Sequence, residues 1–113
     1  MKIRTGFVSN SSSSSFIAIV PYEIDPYEGF EPQVAQLLEQ AFPVVEVNVL
    51  GQKAKFLEGY SSDEGCYNLF ENPLIDMVKR DCEEDWEAAE RIWYDLLNHL
   101  RKIEGSLVHT DNR

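Results

Sequence analysis

A length of 113 residues fits a single domain, and a hydrophobic content of 43% with 12% aromatic residues excludes disorder of the whole chain. The net charge of −10 argues against direct binding to nucleic acid, because phosphates attract the opposite sign. No apolar run reaches the roughly 18 residues of a membrane span. The apolar stretch 16–20 is also too short for a signal-peptide core, so the sequence predicts a cytoplasmic protein without membrane contact and with reduced cysteines.

The first half of the chain alternates predicted strands with one predicted helix. Residues 2–8 alternate weakly and predict a strand, and residues 16–20 are apolar on both faces, which is typical of a central strand covered on both sides. Pro32 suits the first position of a helix. The helix that follows has its apolar residues spaced i, i+3, i+4, i+7, i+8: Val34, Leu37, Leu38, Ala41 and Phe42.

A hairpin is predicted next. Residues 44–50, VVEVNVL, place Val45, Val47 and Val49 on one face of a strand. Gly51 and Gln52 then suit a two-residue type II′ turn. The returning strand covers residues 53–58, where two lysines would protect an exposed sheet edge.

The last predicted element is a long C-terminal helix over residues 73–104. One apolar stripe runs along it and includes Cys82, Trp86 and Trp93, which are predicted to lie in the core. Asp81 and Glu84 have the spacing of a capping box, so a break into two helices is the alternative. We expect one domain, 1–105, and a frayed tail, 106–113.

The order β, β, α, β, β, α predicts an α+β fold. Its architecture is a two-layer sandwich, in which a short helix and a long C-terminal helix pack on a mostly antiparallel sheet of about four strands.

Five consecutive serines, 11–15, precede the second predicted strand. With only about ten residues before it, the run does not suit a linker, and a hairpin loop over residues 9–15 is the simplest interpretation. The functional alternative is a loop that binds a small molecule or an anion. Its residues would be Arg4, Ser9, Asn10, Ser11, Ser12 and Ser13. Nucleotide binding is not indicated, because the sequence GK[ST] is absent.

The opening segment KIRTGFVSNSSSSSF, residues 2–16, resembles the start of many small bacterial and bacteriophage proteins of uncharacterised function. These proteins share a segment of the form RxGFVSNSSSSSF and differ widely after it. The resemblance implies an origin in a phage or mobile element, and hence a place in the cytoplasm of the bacterial host. It implies neither a fold nor a reaction, and no catalytic residues carry over.

Acidic residues concentrate at the middle of the long predicted helix. The predicted partner-binding residues are six acids and one aromatic residue: Asp81, Glu83, Glu84, Asp85, Glu87, Glu90 and Trp86. A solvated helix face with ordinary pairs, Glu87–Arg91 and Asp76–Arg80, is the simple interpretation. The alternatives are a surface that docks on a basic protein and, less favoured, a mimic of nucleic acid.

Metal and catalytic sites are not predicted. The sequence contains neither C-x-x-C nor H-E-x-x-H, so we expect no metal and no cofactor. A Cys66–His99 pair is conceivable, but an enzyme ranks last because no spacing supports a nucleophile with its base.

These observations favour a small, acidic, non-enzymatic protein that binds another protein. It would act as an inhibitor of a host factor or as a virion or assembly accessory, with a basic partner surface. A homodimer through the C-terminal helix is attractive if that helix exposes its tryptophans.

Overall fold

A computed structural model describes residues 14–62 and 65–112. The elements follow in chain order: β1 (Ser14–Pro21), α1 (Pro32–Ala41), β2 (Val45–Val49), β3 (Gln52–Ser61), α2 (Tyr67–Phe70), α3 (Ile75–Val78), α4 (Asp85–Lys102) and β4 (Leu107–Asn112).

The four strands form one sheet in the order β2-β3-β1-β4, and every neighbouring pair is antiparallel. This confirms the predicted α+β fold with a four-stranded antiparallel sheet. The predicted strand over residues 2–8 lies outside the described residues. The fourth strand is β4, which the sequence had not indicated.

The prediction of a frayed tail over residues 106–113 is wrong for residues 107–112. They form β4, which pairs with β1 from Ile19 opposite Leu107 to Ser14 opposite Asn112. The chain turns after α4 at Gly105, whose φ of 84° suits a glycine. The Ser106 hydroxyl fixes the turn, because its one proton can be donated to the carbonyl oxygen of Leu100 at 2.7 Å or of Ile103 at 2.8 Å.

The helices cover only one face of the sheet. Phe16, Ala18 and Val20 of β1 are buried beneath them, whereas Ile17, on the other face, is 43% exposed. The prediction that β1 is covered on both faces is therefore wrong, since no second helical layer lies across it in the part that the structure describes.

An aromatic group lies at the centre of the core. The rings of Phe16, Phe42 and Trp93 meet edge to face, with centroids 5.3 to 5.9 Å apart. Gly59 lies beneath them, and a Cβ atom there would come within 2.4 Å of the Phe16 ring. Gly59, directly after the predicted end of the returning strand, is thus a residue of β3 that makes room for the aromatic core.

The long C-terminal helix is broken. α3 ends at Val78, Lys79 is extended, and Cys82 has a φ of 66° in the turn before α4. The capping box at the start of α4 is formed by Glu84 and Glu87 rather than by Asp81 and Glu84. The break carries Cys82 out of the predicted apolar stripe and leaves it exposed, so its assignment to the core is wrong.

The hairpin turn lies one residue earlier than predicted. Leu50 and Gly51 occupy it, both with positive φ (51° and 83°), as in a type I′ turn. The returning strand β3 is internal rather than an edge, because it lies between β2 and β1. Lys55 therefore does not guard an edge; its Nζ donates to the carbonyl oxygen of Ile24 at 2.9 Å.

Candidate interaction surfaces

The acidic surface consists of the loop before α4 and the first two turns of that helix: Asp81, Glu83, Glu84, Asp85, Trp86, Glu87 and Glu90. The structure places these residues at the N-terminal end of α4 rather than at the middle of one long helix, and it gives them different surroundings.

Glu83 is engaged by the protein itself. Its carboxylate accepts bonds from Arg91 Nε at 2.9 Å, from Arg91 Nη2 at 3.0 Å and from the backbone N–H of Arg80 at 2.9 Å. These bonds to Arg91 and then Arg80 lower the pKa of Glu83 to about 2. The Glu83 side chain is only 14% exposed, so it joins the loop to α4 and is not free to contact a partner.

Asp85 is also paired within the protein. Its carboxylate lies 2.8 Å from Lys79 Nζ, which also contacts Asp76 at 3.0 Å. The pKa of Lys79 is raised because its ammonium group donates hydrogen bonds to the carboxylates of Asp85, which has the larger effect, and of Asp76. The predicted Asp76–Arg80 and Glu87–Arg91 pairs are therefore wrong, because the break before α4 gives each charge another neighbour.

The other acids of this surface face solvent. Asp81, Glu84, Glu87 and Glu90 are exposed, and among the described residues no lysine or arginine lies within ion-pair distance of them. Glu87 also accepts the backbone N–H of Glu84 at 2.9 Å, which caps α4.

Trp86 stands among these acids with 55% of its surface exposed. It is therefore not a core residue, whereas Trp93, seven positions later, is buried as predicted. Trp86, Glu90 and Tyr94 follow at intervals of four residues and form one exposed stripe along α4. The apolar side of α4 is occupied by the core, so Trp86 but not Trp93 is exposed for the predicted homodimer through the C-terminal helix, which stays a prediction.

The proposed ligand loop, Arg4 and Ser9 to Ser13, lies outside the described residues. Ser14 and Ser15 belong to β1, so the predicted hairpin loop over 9–15 is wrong for its last two residues. They line a small cleft of about 120 Å³ against the C-terminal half of α4, together with Trp93, Tyr94, Leu97, Arg101 and Thr110. No sequence pattern indicates this cleft, because Arg101 and Thr110 come from elements that meet only in the folded chain.

The candidate nucleophile has an environment that does not activate it. Cys66 is buried, and burial raises the pKa of its thiol. The ring of His99, its conceivable base, packs edge to face against Phe30 with centroids 4.8 Å apart. Within residues 14–62 and 65–112, no cluster of three or more His, Cys, Asp or Glu side chains could hold a metal ion.

The side of the sheet that the other described elements leave uncovered is an apolar surface that was not predicted from the sequence. We call it the open face, and its apolar side chains come from all four strands: Ile17, Ile19, Val45, Val47, Val49, Phe56 and Leu107. Ile17, Val45 and Leu107 are 43%, 52% and 68% exposed. The sequence did contain an indication of this surface, because β1 is apolar on both faces whereas the predicted helices suffice to cover only one face of the sheet.

Among the described residues, no helix is both long enough and apolar enough to cross a bilayer. Comparison with known proteins adds no relative: no family model, no curated protein and no solved structure matches this chain.

Proposed function

We propose that this protein acts without catalysis, by binding a basic surface of another protein through the acidic surface. The observation that carries the proposal is the exposed indole of Trp86 among Glu84, Glu87 and Glu90, whose carboxylates have no basic partner within residues 14–62 and 65–112. A tryptophan buried at the centre of an interface supplies much of its binding energy. Surrounding carboxylates add attraction and orientation toward lysines and arginines.

The net charge of −10 supports the same function at longer range. It accelerates encounter with a basic partner and repels nucleic acid. The resemblance of residues 2–16 to the start of bacteriophage proteins favours a partner in the bacterial host. The role would then be that of an inhibitor of a host factor, or of a virion or assembly accessory.

The test is capture of a partner from bacterial lysate, first at low and then at high salt. We expect one basic protein to be retained by the wild type at low salt and released at high salt. Trp86→Ala combined with Glu90→Lys should abolish capture. Asp95→Lys is the matched control, because it makes the same charge change at an exposed position outside the Trp86–Tyr94 stripe. Capture unchanged by the double variant would refute the proposed surface.

Glu83 is deliberately left intact in this design. Its reversal would break the bonds to Arg91 and Arg80, and a loss of binding could then reflect a disordered loop. Glu84 and Glu87 are kept for a similar reason, since they cap α4.

A second candidate function is binding of a small anion in the cleft beside β1. The hydroxyls of Ser14 and Thr110 are on the helix side of the sheet, where Arg101 also lines the cleft and has no acidic partner among the described residues. Phosphate should raise the melting temperature of the wild type but not of Arg101→Met. Lys102→Met removes an equal charge from the neighbouring position and should retain the shift. No shift in the wild type would eliminate this candidate.

A further inference from the structure

The open face is too apolar for a surface that always faces water. Its apolar side chains form one continuous patch, because residues that are paired across neighbouring strands lie side by side. Ile19 is flanked by Phe56 and Leu107, and Phe56 by Val45. Antiparallel sheets with one solvated face normally alternate apolar and polar residues, so that the outer face is polar. In β1 the alternation fails, because Ile17 and Ile19 lie on the outer face, and in β2 the alternation is kept but places its three valines on that same face.

We propose that the open face is the interface of a homodimer, in which the sheets of two copies pack face to face around a two-fold axis. This inference does not depend on the proposed partner of the acidic surface, because the two surfaces lie on opposite layers of the molecule.

The distribution of charge argues for a second copy as the occupant. Two chains with a net charge of −10 repel each other wherever their acidic surfaces approach. The described strands place only two acids on the open face, Glu58 opposite Ile17 and Asp111 opposite Ser15. The open face is therefore where two copies approach with the least repulsion and bury the most apolar surface.

The arrangement is also self-complementary. Glu58, Ile17 and His109 form one row across β3, β1 and β4. The proposed two-fold axis lies midway between the two sheets, runs parallel to the strands and passes between β1 and β3. Rotation about this axis places β3 of each copy over β1 of the other copy. Glu58 of one copy then lies over the half of the partner that carries His109, whose imidazole can donate to the carboxylate.

The area is sufficient for a reversible dimer. Four strands about 4.8 Å apart, with about six residues each at 3.3 Å, span roughly 20 by 20 Å. Because side chains make the surface uneven, the accessible area buried on each copy exceeds this flat area and is about 600 Å². This value is at the lower end of the range for specific interfaces. Packed sheets would lie about 10 Å apart. We therefore expect a dissociation constant in the micromolar range.

The experiment is sedimentation velocity on the full chain from about 1 µM to about 200 µM, spanning a micromolar dissociation constant. The wild type should pass from monomer to dimer over this range. Ile19→Lys should raise the dissociation constant on the order of 100-fold, because Ile19 lies between Phe56 and Leu107 and the dimer would bury two unpaired ammonium groups at its centre. Tyr94→Lys, at an exposed position of α4, is the matched control and should dimerise like the wild type.

Circular dichroism of each variant reports whether the monomer is folded. If Ile19→Lys fails to fold, Val45→Lys replaces it, because Val45 lies on the edge strand β2 and is more exposed. A wild type that stays monomeric at 200 µM would overturn the proposal, including the case in which another part of the same chain covers the open face. A dimer that survives a folded lysine variant would overturn it as well.

Discussion

The glutamates at the start of α4 have different roles. Glu83 joins the loop to α4 through Arg91, Glu87 caps the helix, and Glu90 faces solvent. The sequence showed a cluster of acids but not this division of roles. Glu83 and Arg91 are eight residues apart, which is not a spacing of neighbours on one helix, and they meet only because the chain breaks between α3 and α4.

We predict that Glu83→Gln lowers the free energy of unfolding by about 2 kcal/mol at pH 7, since it weakens a charged bond to Arg91. The folded pKa of Glu83, about 2, lies below its ordinary value of 4.5. Ionised Glu83 therefore contributes its full stability above about pH 4.5, and this contribution disappears as the pH falls toward 2. Urea denaturation of both proteins across this range should show their difference shrinking. Glu104→Gln, at an exposed position, is the control; a difference independent of pH would contradict the prediction.

Cys82 has a backbone conformation that suits glycine. Its φ of 66° costs an L-residue about 1 kcal/mol, and its side chain is exposed. Cys82→Gly should therefore be more stable than Cys82→Ala by about 0.5 kcal/mol, after allowance for the greater freedom of glycine in the unfolded chain. Paired thermal melts of the two variants measure this difference. Equal stability would indicate that the turn does not hold this conformation in solution.

At the scale of elements, the sequence predicted those that carry both a pattern and a boundary signal. Pro32 is the first residue of α1, as predicted. The five apolar residues predicted for its face lie in this helix or, for Phe42, at its C-terminal cap. β4 was missed because the strand has only six residues, four of them polar, and because its pairing with β1 depends on tertiary contact. The hairpin was found, but its turn was misplaced because Leu50 is an unusual residue at a positive φ.

Leu50→Asn should stabilise the β2–β3 hairpin. Leu50 is fully exposed and leaves no apolar contact to lose, whereas Asn-Gly is the preferred pair for a type I′ turn. We expect a gain of about 0.5–1 kcal/mol in the free energy of unfolding, measured by guanidinium denaturation. Leu50→Ala is the control that removes the side chain without favouring the turn. A gain shared by Leu50→Ala would assign the effect to the lost apolar surface instead.

At the scale of the whole molecule, the predicted order of elements indicated the α+β class but not which surfaces remain exposed to solvent. The acidic surface was predicted as continuous, yet Arg91 and Lys79 neutralise Glu83 and Asp85. The open face went unnoticed because strand patterns show that a face is apolar, not whether a helix covers it. That depends on the number of layers, which only the assembled fold reveals.

Salt should affect the two proposed associations in opposite directions. Raising sodium chloride from about 20 mM to about 500 mM shortens the Debye length from roughly 20 Å to below 5 Å. Binding of a basic partner to the acidic surface should weaken, because attraction is screened. Self-association through the open face should strengthen, because repulsion between two acidic copies is screened. Sedimentation and capture measured at both concentrations test this; a dimer weakened by salt would indicate an ionic interface elsewhere.

The position of β1 between β3 and β4 also dictates the order in which the fold can assemble. The β2–β3 hairpin closes through a two-residue turn and can form early, on a microsecond timescale. β1 must then find one neighbour far along the chain and a second, from Leu107 onward, almost at the other end of the sequence. Such distant pairings slow folding. We therefore expect the ladder between β1 and β4 to form last. Until it forms, β1, an inner strand of the finished sheet, has one edge with unpaired backbone N–H and C=O groups.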